Sequence, residues 1–169
     1  MTKPPDGHEG RIVVGVDGSA ASKAALAWAI RQAARTDSVV EAVTAYYWFP
    51  MPIEEPDFRG LAAHVLDDAI LDESSVGPAV KIISKVVHGS AAKVLLDAAR
   101  GAELVVVGNR GHGGFTGALL GSVSQNCVHY AACPVVIVRA PAAKPQSRAE
   151  GPEPTGPLVP GAAGNPTVV

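Results

Sequence analysis

The chain has 169 residues, 47% of them apolar and 18% charged, with a formal net charge of −2. That length favours one domain with a proper core, and the near-neutral balance gives no electrostatic case for binding nucleic acid or an anionic membrane. No stretch approaches the roughly 20 continuous apolar residues of a membrane span.

Met1 to Gly10 carries Pro4, Pro5, Asp6 and Glu9 and no apolar h-region. It is read as a disordered segment (1–10) without a secretory signal, so a cytoplasmic location is expected. Arg11 to Asp17, RIVVGVD, is a β-branched run ended by Gly18, and Ser19 is placed to cap a helix reaching about Arg35. Leu26, Ala29, Ile30 and Ala33 fall on one face of that helix, which should pack on a sheet. Ser38 to Tyr46 reads as a second strand. Pro50, Pro52 and Pro56 mark a loop, and a helix over about 57–76 follows.

Val80 to Val87 is the third expected strand, ended by His88-Gly89. Ser90 is placed to cap a helix whose Ala91, Val94, Leu95 and Ala98 share a face, with Gly101 at its C′ position. Glu103 to Gly108 contains the continuous apolar run of a strand covered on both faces. A helix over 122–131 and a fifth strand, Pro134 to Arg139, complete the pattern. Strands alternating with helices imply βαβ units, a parallel sheet and right-handed crossovers, giving an α/β, doubly wound, Rossmann-like domain over 11–139. Residues 140–169 hold half of the 14 prolines and no aromatic residue, the composition of a disordered tail. Cys127 and Cys133 fit no zinc or redox spacing and read as small core hydrophobes in a reducing compartment.

The informative segment runs from Gly108 to Ser124, GNRGHGGFTGALLGSVS. It begins where an apolar strand ends and finishes where a helix starts, beyond the carboxyl ends of the strands, where open α/β sheets bind ligands. Glycines permit positive φ and let backbone N–H groups approach an anion. The helix start adds unpaired N–H groups and a partial positive charge. Hydrogen bonds to a phosphate contribute roughly 1.5–3 kcal/mol each, so several suffice for micromolar binding. Ser122 to Gln125 also fits a capping box, which by itself explains both residues. Asp17 would share the crevice with Gly108 if the first and fourth strands are neighbours. There it could accept hydrogen bonds from a ribose or hold a phosphate-bridging Mg2+; alternatively it is a turn carboxylate.

The loop matches G-x2-G-x9-G-S/T through Gly108, Gly111, Gly121 and Ser122. Together with VVGVDGS (Val13 to Ser19), LVVVGNRG (Leu104 to Gly111) and CPVVIVR (Cys133 to Arg139), it resembles the ATP-binding branch of the universal stress protein family over about 11–139. The resemblance implies a five-stranded parallel sheet in order 3-2-1-4-5 and a nucleotide-dependent regulatory module of the stress response. Asp17 would lie near ribose and adenine, flanked by Gly15, Gly18 and Ser19, with Val43 offering backbone contacts to the adenine edge. Gly108, Asn109, Arg110, Gly111, His112, Gly113 and Gly114 would wrap the phosphates, and Gly121, Ser122, Val123 and Ser124 would finish the cradle. Asn109 falls where relatives often carry Ser, an open position of the pattern. A homodimer through Pro134 to Arg139 is also implied; an apolar edge strand needs covering in any case.

Several chemistries lack their residues. No Lys occurs between Lys93 and Lys144, so the Walker lysine of P-loop enzymes is missing. The first strand–helix turn is not the dinucleotide G-x-G-x-x-G, and no G-x-S-x-G elbow occurs. His8, His64, His88, His112 and His129 show no metal spacing. The expected ligand is therefore ATP with Mg2+ and little turnover. The alternatives are slow ATP hydrolysis, self-phosphorylation at Ser122, Ser124 or Thr116, or a scaffold holding AMP or cyclic AMP.

Overall fold

A computed structural model describes residues 10–47, 57–112 and 119–140. The expectations for residues 1–9, the proline loop 48–56 and the tail beyond Ala140 lie outside the described residues. The elements are β1 (Gly10–Gly15), α1 (Ala20–Thr36), β2 (Ser38–Tyr46), α2 (Phe58–Ser74), β3 (Ile82–His88), α3 (Ala91–Ala98), β4 (Leu104–Gly108), α4 (Ser122–Tyr130) and β5 (Val135–Val138). The strands form one sheet in the order β3-β2-β1-β4-β5, every pairing parallel. The expected Rossmann-like α/β architecture is therefore the observed one.

Alternation of side chains sorts the core into two layers. Ile12 and Val14 of β1, Val40 and Ala42 of β2 and Val106 of β4 pack under α1 and α2 against Leu26, Ile30 and Leu66. The intervening Val13, Val43, Val105 and Val107 pack under α3 and α4 against Leu95 and Cys127. The fully buried side chains of β1 and β4 on both faces explain their near-continuous β-branched runs. Ser19 caps α1 by accepting a hydrogen bond from Ser22 N–H. Cys127 is buried in the second layer. Burial raises the pKa of both thiols, which keeps them protonated, as their reading as core hydrophobes requires. No helix among the described residues is long and apolar enough to cross a membrane.

Several boundaries differ from expectation; β4 starts at Leu104 rather than Glu103, and β5 is confined to Val135–Val138. β1 ends at Gly15 rather than Asp17: Val16 N–H makes the last ladder bond to β2, donating to Val43 O at 2.9 Å, and the chain then turns. β3 begins at Ile82 rather than Val80, where pairing with Val40 starts. Ala99 is the C-cap of α3, so Gly101, at φ 70°, takes the left-handed turn one residue beyond the C′ site. Ser90 is the N-cap of α3, but its side chain makes no capping hydrogen bond.

The sequence reading did not single out Glu41, which sits mid-strand with 2% of its surface exposed. Arg11 Nη1 donates to its Oε2 at 2.9 Å, and Lys85 Nζ lies 3.0 Å from its Oε1 as an ion pair. The alternation that puts β1 and β3 neighbours on the same face brings both cations over the carboxylate. A buried charge deprived of its partners is strongly destabilising. Replacing Arg11 and Lys85 together by Leu should therefore cost about 3–5 kcal/mol in urea unfolding, whereas Glu41→Leu, which leaves only cations that reach water, should cost clearly less.

Candidate functional site

α1 and α2 lie on one face of the sheet and α3 and α4 on the other. The chain therefore leaves neighbouring strands β1 and β4 in opposite directions, opening a crevice at their carboxyl ends. The first wall is the turn Val16-Asp17-Gly18-Ser19. Gly18 has φ 82°, and a Cβ on it would lie 2.9 Å from Val65 Cγ1 of α2, so the turn requires glycine. Asp17 Oδ1 accepts from Ser19 N–H at 3.0 Å, and Asp17 N–H donates to Ser22 Oγ at 3.3 Å. Burial pushes the Asp17 carboxyl upward, but hydrogen bonds from Ser19 and Ser22, with His112 nearby, outweigh it and leave its pKa below the ordinary 3.8. His112 Nδ1 stands 3.9 Å from Asp17 Oδ2. Asp17 is thus both the turn carboxylate and a crevice carboxylate, ionised at neutral pH.

The second wall joins β4 to α4. Asn109 N–H donates to Val138 O at 2.7 Å, and Asn109 O accepts from Gly121 N–H at 2.8 Å. Ser124 Oγ donates to Gly108 O at 2.7 Å. Gly121, not Ser122, is the N-cap of α4, with φ −76° and no side-chain cap. The capping-box reading is corrected accordingly: Ser122 is already helical, and Gln125 Nε2 donates to Leu120 O at 3.3 Å. The first turn of α4 thus starts with N–H groups that no side chain caps, a ready seat for an anion.

Between these walls lies a cavity of about 460 Å3. Of the residues singled out from sequence, Gly15, Asp17, Val43, Gly108, Arg110, Gly111 and His112 line it, as do Gly121, Ser122, Val123 and Ser124. Gly18, Ser19 and Asn109 do not: the first two shape the Asp17 turn, and Asn109 is buried behind the loop. Gly113 and Gly114 fall outside the described residues. The sequence reading missed Val16, Ser22, Ala45, Ala91, Leu95, Val107, Leu120 and Gln125, which also line the cavity. The apolar members of this group give that part of the cavity an apolar lining, and period-2 alternation from Val43 to Ala45 is the signal that would have found one of them.

The glycines work by close approach rather than positive φ. Gly108, Gly111 and Gly121 all lie outside the left-handed region, which corrects the expectation drawn from glycine's freedom. A Cβ on Gly108 would stand 2.8 Å from Ala21 C and 2.9 Å from Ser22 N, so glycine lets β4 meet the start of α1. A Cβ on Gly111 would overlap the Asp17 carboxylate, and one on Gly15 would come 2.8 Å from Leu95 Cδ1. Gly121 differs: the nearest atoms to its Cβ would be Arg110 Cα at 3.5 Å, Asn109 O at 3.7 Å and Gly111 N at 3.9 Å, ordinary contacts between the loop's two ends. Among the described residues no cluster of His, Cys, Asp or Glu could hold a metal by itself. Asp17 offers a single carboxylate, which suits a metal arriving with a ligand's phosphates.

A family model described as the universal stress protein family matches residues 9–139. The chain belongs to the universal stress protein family. Universal stress protein Rv2623 of Mycobacterium tuberculosis is 34% identical over 141 residues, which make up 80% of this chain and 47% of that one. A universal stress protein of Mycolicibacterium smegmatis is 37% identical over 142 residues, 78% of this chain and 47% of that one. The chain thus spans about half the length of the curated relatives it matches. Among solved structures, a universal stress protein in complex with cAMP is 30% identical with a TM-score of 0.63, over 79% of this chain and 98% of that one. UspA from Lactobacillus plantarum shares the fold at 23% identity and a TM-score of 0.66, over 79% of this chain and all of that one (100%).

Two expectations follow for this universal stress protein. Gly108→Ala should lower the thermal midpoint markedly, because backbone atoms of α1 cannot yield to the new Cβ, while Gly121→Ala should melt close to wild type. The depressed pKa of Asp17 contributes stability that is fully present above the ordinary carboxylate value and lost as pH falls through the lower folded value. The stability difference between wild type and Asp17→Ala should therefore shrink when chemical unfolding is repeated below pH 3.8.

Proposed function

We propose that this chain is a regulatory module that binds an adenine nucleotide in the β1–β4 cavity, with ATP and its Mg2+ as the physiological ligand. The observation that carries this reading is the first turn of α4 after Gly121, which no side chain caps and which lines the cavity beside Arg110 and Gly111. Main-chain amides on both sides suit a polyphosphate, and the dipole of α4 adds about 0.3–1 kcal/mol. Arg110 is a cation on the same wall. The base would enter the apolar slot beside Val43, Ala45 and Leu95. Val43 O already accepts from Val16 N–H, so a base contact there would use its second lone pair. The Asp17 carboxylate, with Oδ1 held by Ser19, would meet the ribose or a phosphate-bound Mg2+.

Regulation rather than turnover follows from the residues at hand. Among the described residues, no lysine lines the cavity, and Asp17, the carboxylate in its lining, is kept a weak base by its turn. Ser124 is buried and committed to Gly108 O, so of the hydroxyls raised as phosphoryl acceptors Ser122 is the exposed one; Thr116 lies outside the described residues. The cAMP complex of a 30%-identical relative favours a second reading, in which the ligand is cyclic AMP. The proposal also includes a cytoplasmic stress-response role and a homodimer formed along the open edge of β5, whose residues are all partly exposed.

Heat extraction of purified protein followed by mass spectrometry should release ATP, and intact ATP should be retained stoichiometrically without steady phosphate release. Recovery of cyclic AMP or AMP alone would transfer the site to the second reading. By calorimetric titration Asp17→Ala should weaken ATP binding by about 1–3 kcal/mol, and Gly121→Val, which fills the gap between the two amide strips, should abolish it with the fold retained.

A further inference from the structure

Asn109 was singled out as a phosphate contact, yet it is buried and does not line the cavity. What it does instead is join three separate parts of the chain. Its N–H donates to Val138 O, the last residue of edge strand β5, at 2.7 Å. Its C=O accepts from Gly121 N–H, the N-cap of α4, at 2.8 Å, and from Ser124 Oγ at 3.4 Å. Its side-chain amide donates to Leu119 O at 3.4 Å, at the far end of the loop.

We propose that Asn109 is a positioning residue that ties both ends of the nucleotide loop to edge strand β5, so that ligand occupancy and the order of β5 are coupled. This rests on the nucleotide reading of the cavity. The N–H and C=O of one residue thus hold β5 and α4, so a displacement of Asn109 disturbs both bonds together. Arg110 follows Asn109 and Ser122 follows Gly121, and both line the cavity, so a phosphate drawn to the amides of Arg110 and Ser122 clamps the same backbone that holds Val138. The side-chain amide closes the base of the loop before any ligand arrives, which reduces the ordering cost of binding.

The test is backbone amide hydrogen exchange by NMR on the full chain, with and without ATP and magnesium, for wild type, Asn109→Ala and Asn109→Ser. Alanine removes the contact to Leu119 O, and serine is too short to remake it. Without ligand, both variants should raise exchange at Gly121 about tenfold while core amides such as Val14 and Val106 keep wild-type protection. ATP affinity should fall about tenfold although no ligand contact is lost. In wild type, ATP should slow exchange at Asn109 and through Val136 to Val138, and in the variants this effect should be reduced. Unchanged Gly121 exchange in both ligand-free variants would overturn the tie itself. Wild type that binds ATP with no change at Asn109 or β5 would overturn the coupling. Wild type that binds no nucleotide would instead remove the nucleotide reading and the coupling with it, while ligand-free exchange at Gly121 still decides the tie.

Discussion

A parallel sheet buried on both faces must deliver every strand's carboxyl end to the same side, and the cavity exists because of that constraint. The strands of this chain cannot be joined by tight hairpins; each connection that returns to the sheet's other end does so through a helix. The helices then begin where the strands finish, and their N-terminal amides gather at one rim. With β1 at the centre of the order β3-β2-β1-β4-β5, the chain's switch from one side of β1 to the other separates the Asp17 turn from the β4–α4 loop. The space left between them is the 460 Å3 cavity.

Close packing at that rim depends on missing side chains. Gly15 admits Leu95, Gly108 admits the first turn of α1, and Gly111 leaves room for the Asp17 carboxylate. At these glycines the contacts that exclude a Cβ also leave the main chain bare toward the cavity. Among the described site glycines Gly18 alone needs left-handed backbone, and a Cβ on it would also meet Val65. The helices that face the cavity, α3 and α4, lack side-chain caps, while α1, whose start is folded into the Asp17 turn, is capped by Ser19. Capping is absent at the two helix starts where a ligand would supply the missing acceptors.

Charge is handled differently away from the site. Glu41 is held inside the sheet's second face by Arg11 and Lys85, and Arg11 Nη2 also donates to Arg100 O at 2.8 Å, linking β1 to the end of α3. An arrangement of this kind adds little net stability over an apolar substitute, but it disfavours any register in which the carboxylate loses its cations. The cavity rim keeps the charges of Asp17 and Arg110, with the His112 ring beside Asp17, at the surface.

Periodicity and punctuation along the chain determined the class of fold, the strand–helix succession and the place of the glycine-rich loop between β4 and α4. Those features are local: β-branched runs such as Ile12 to Val14 and Val105 to Val107, the Ser19 cap, and a glycine loop between strand and helix all declare themselves within a few residues. The turn role of Asp17, one of the two readings its position allowed, was legible for the same reason, since its partners Ser19 and Ser22 lie within five residues. Tertiary structure alone decided what depends on distant neighbours. Glu41 looked like an ordinary polar residue until β1 and β3 brought Arg11 and Lys85 over it. Asn109 read as a ligand contact until Val138, Leu119 and Gly121 closed around it, and Leu95 and Ala91 joined the cavity only because α3 packs across β1 and β2. Hydrogen bonds and close approaches between segments far apart in sequence leave no periodic trace, because each partner alone satisfies its local pattern equally well elsewhere.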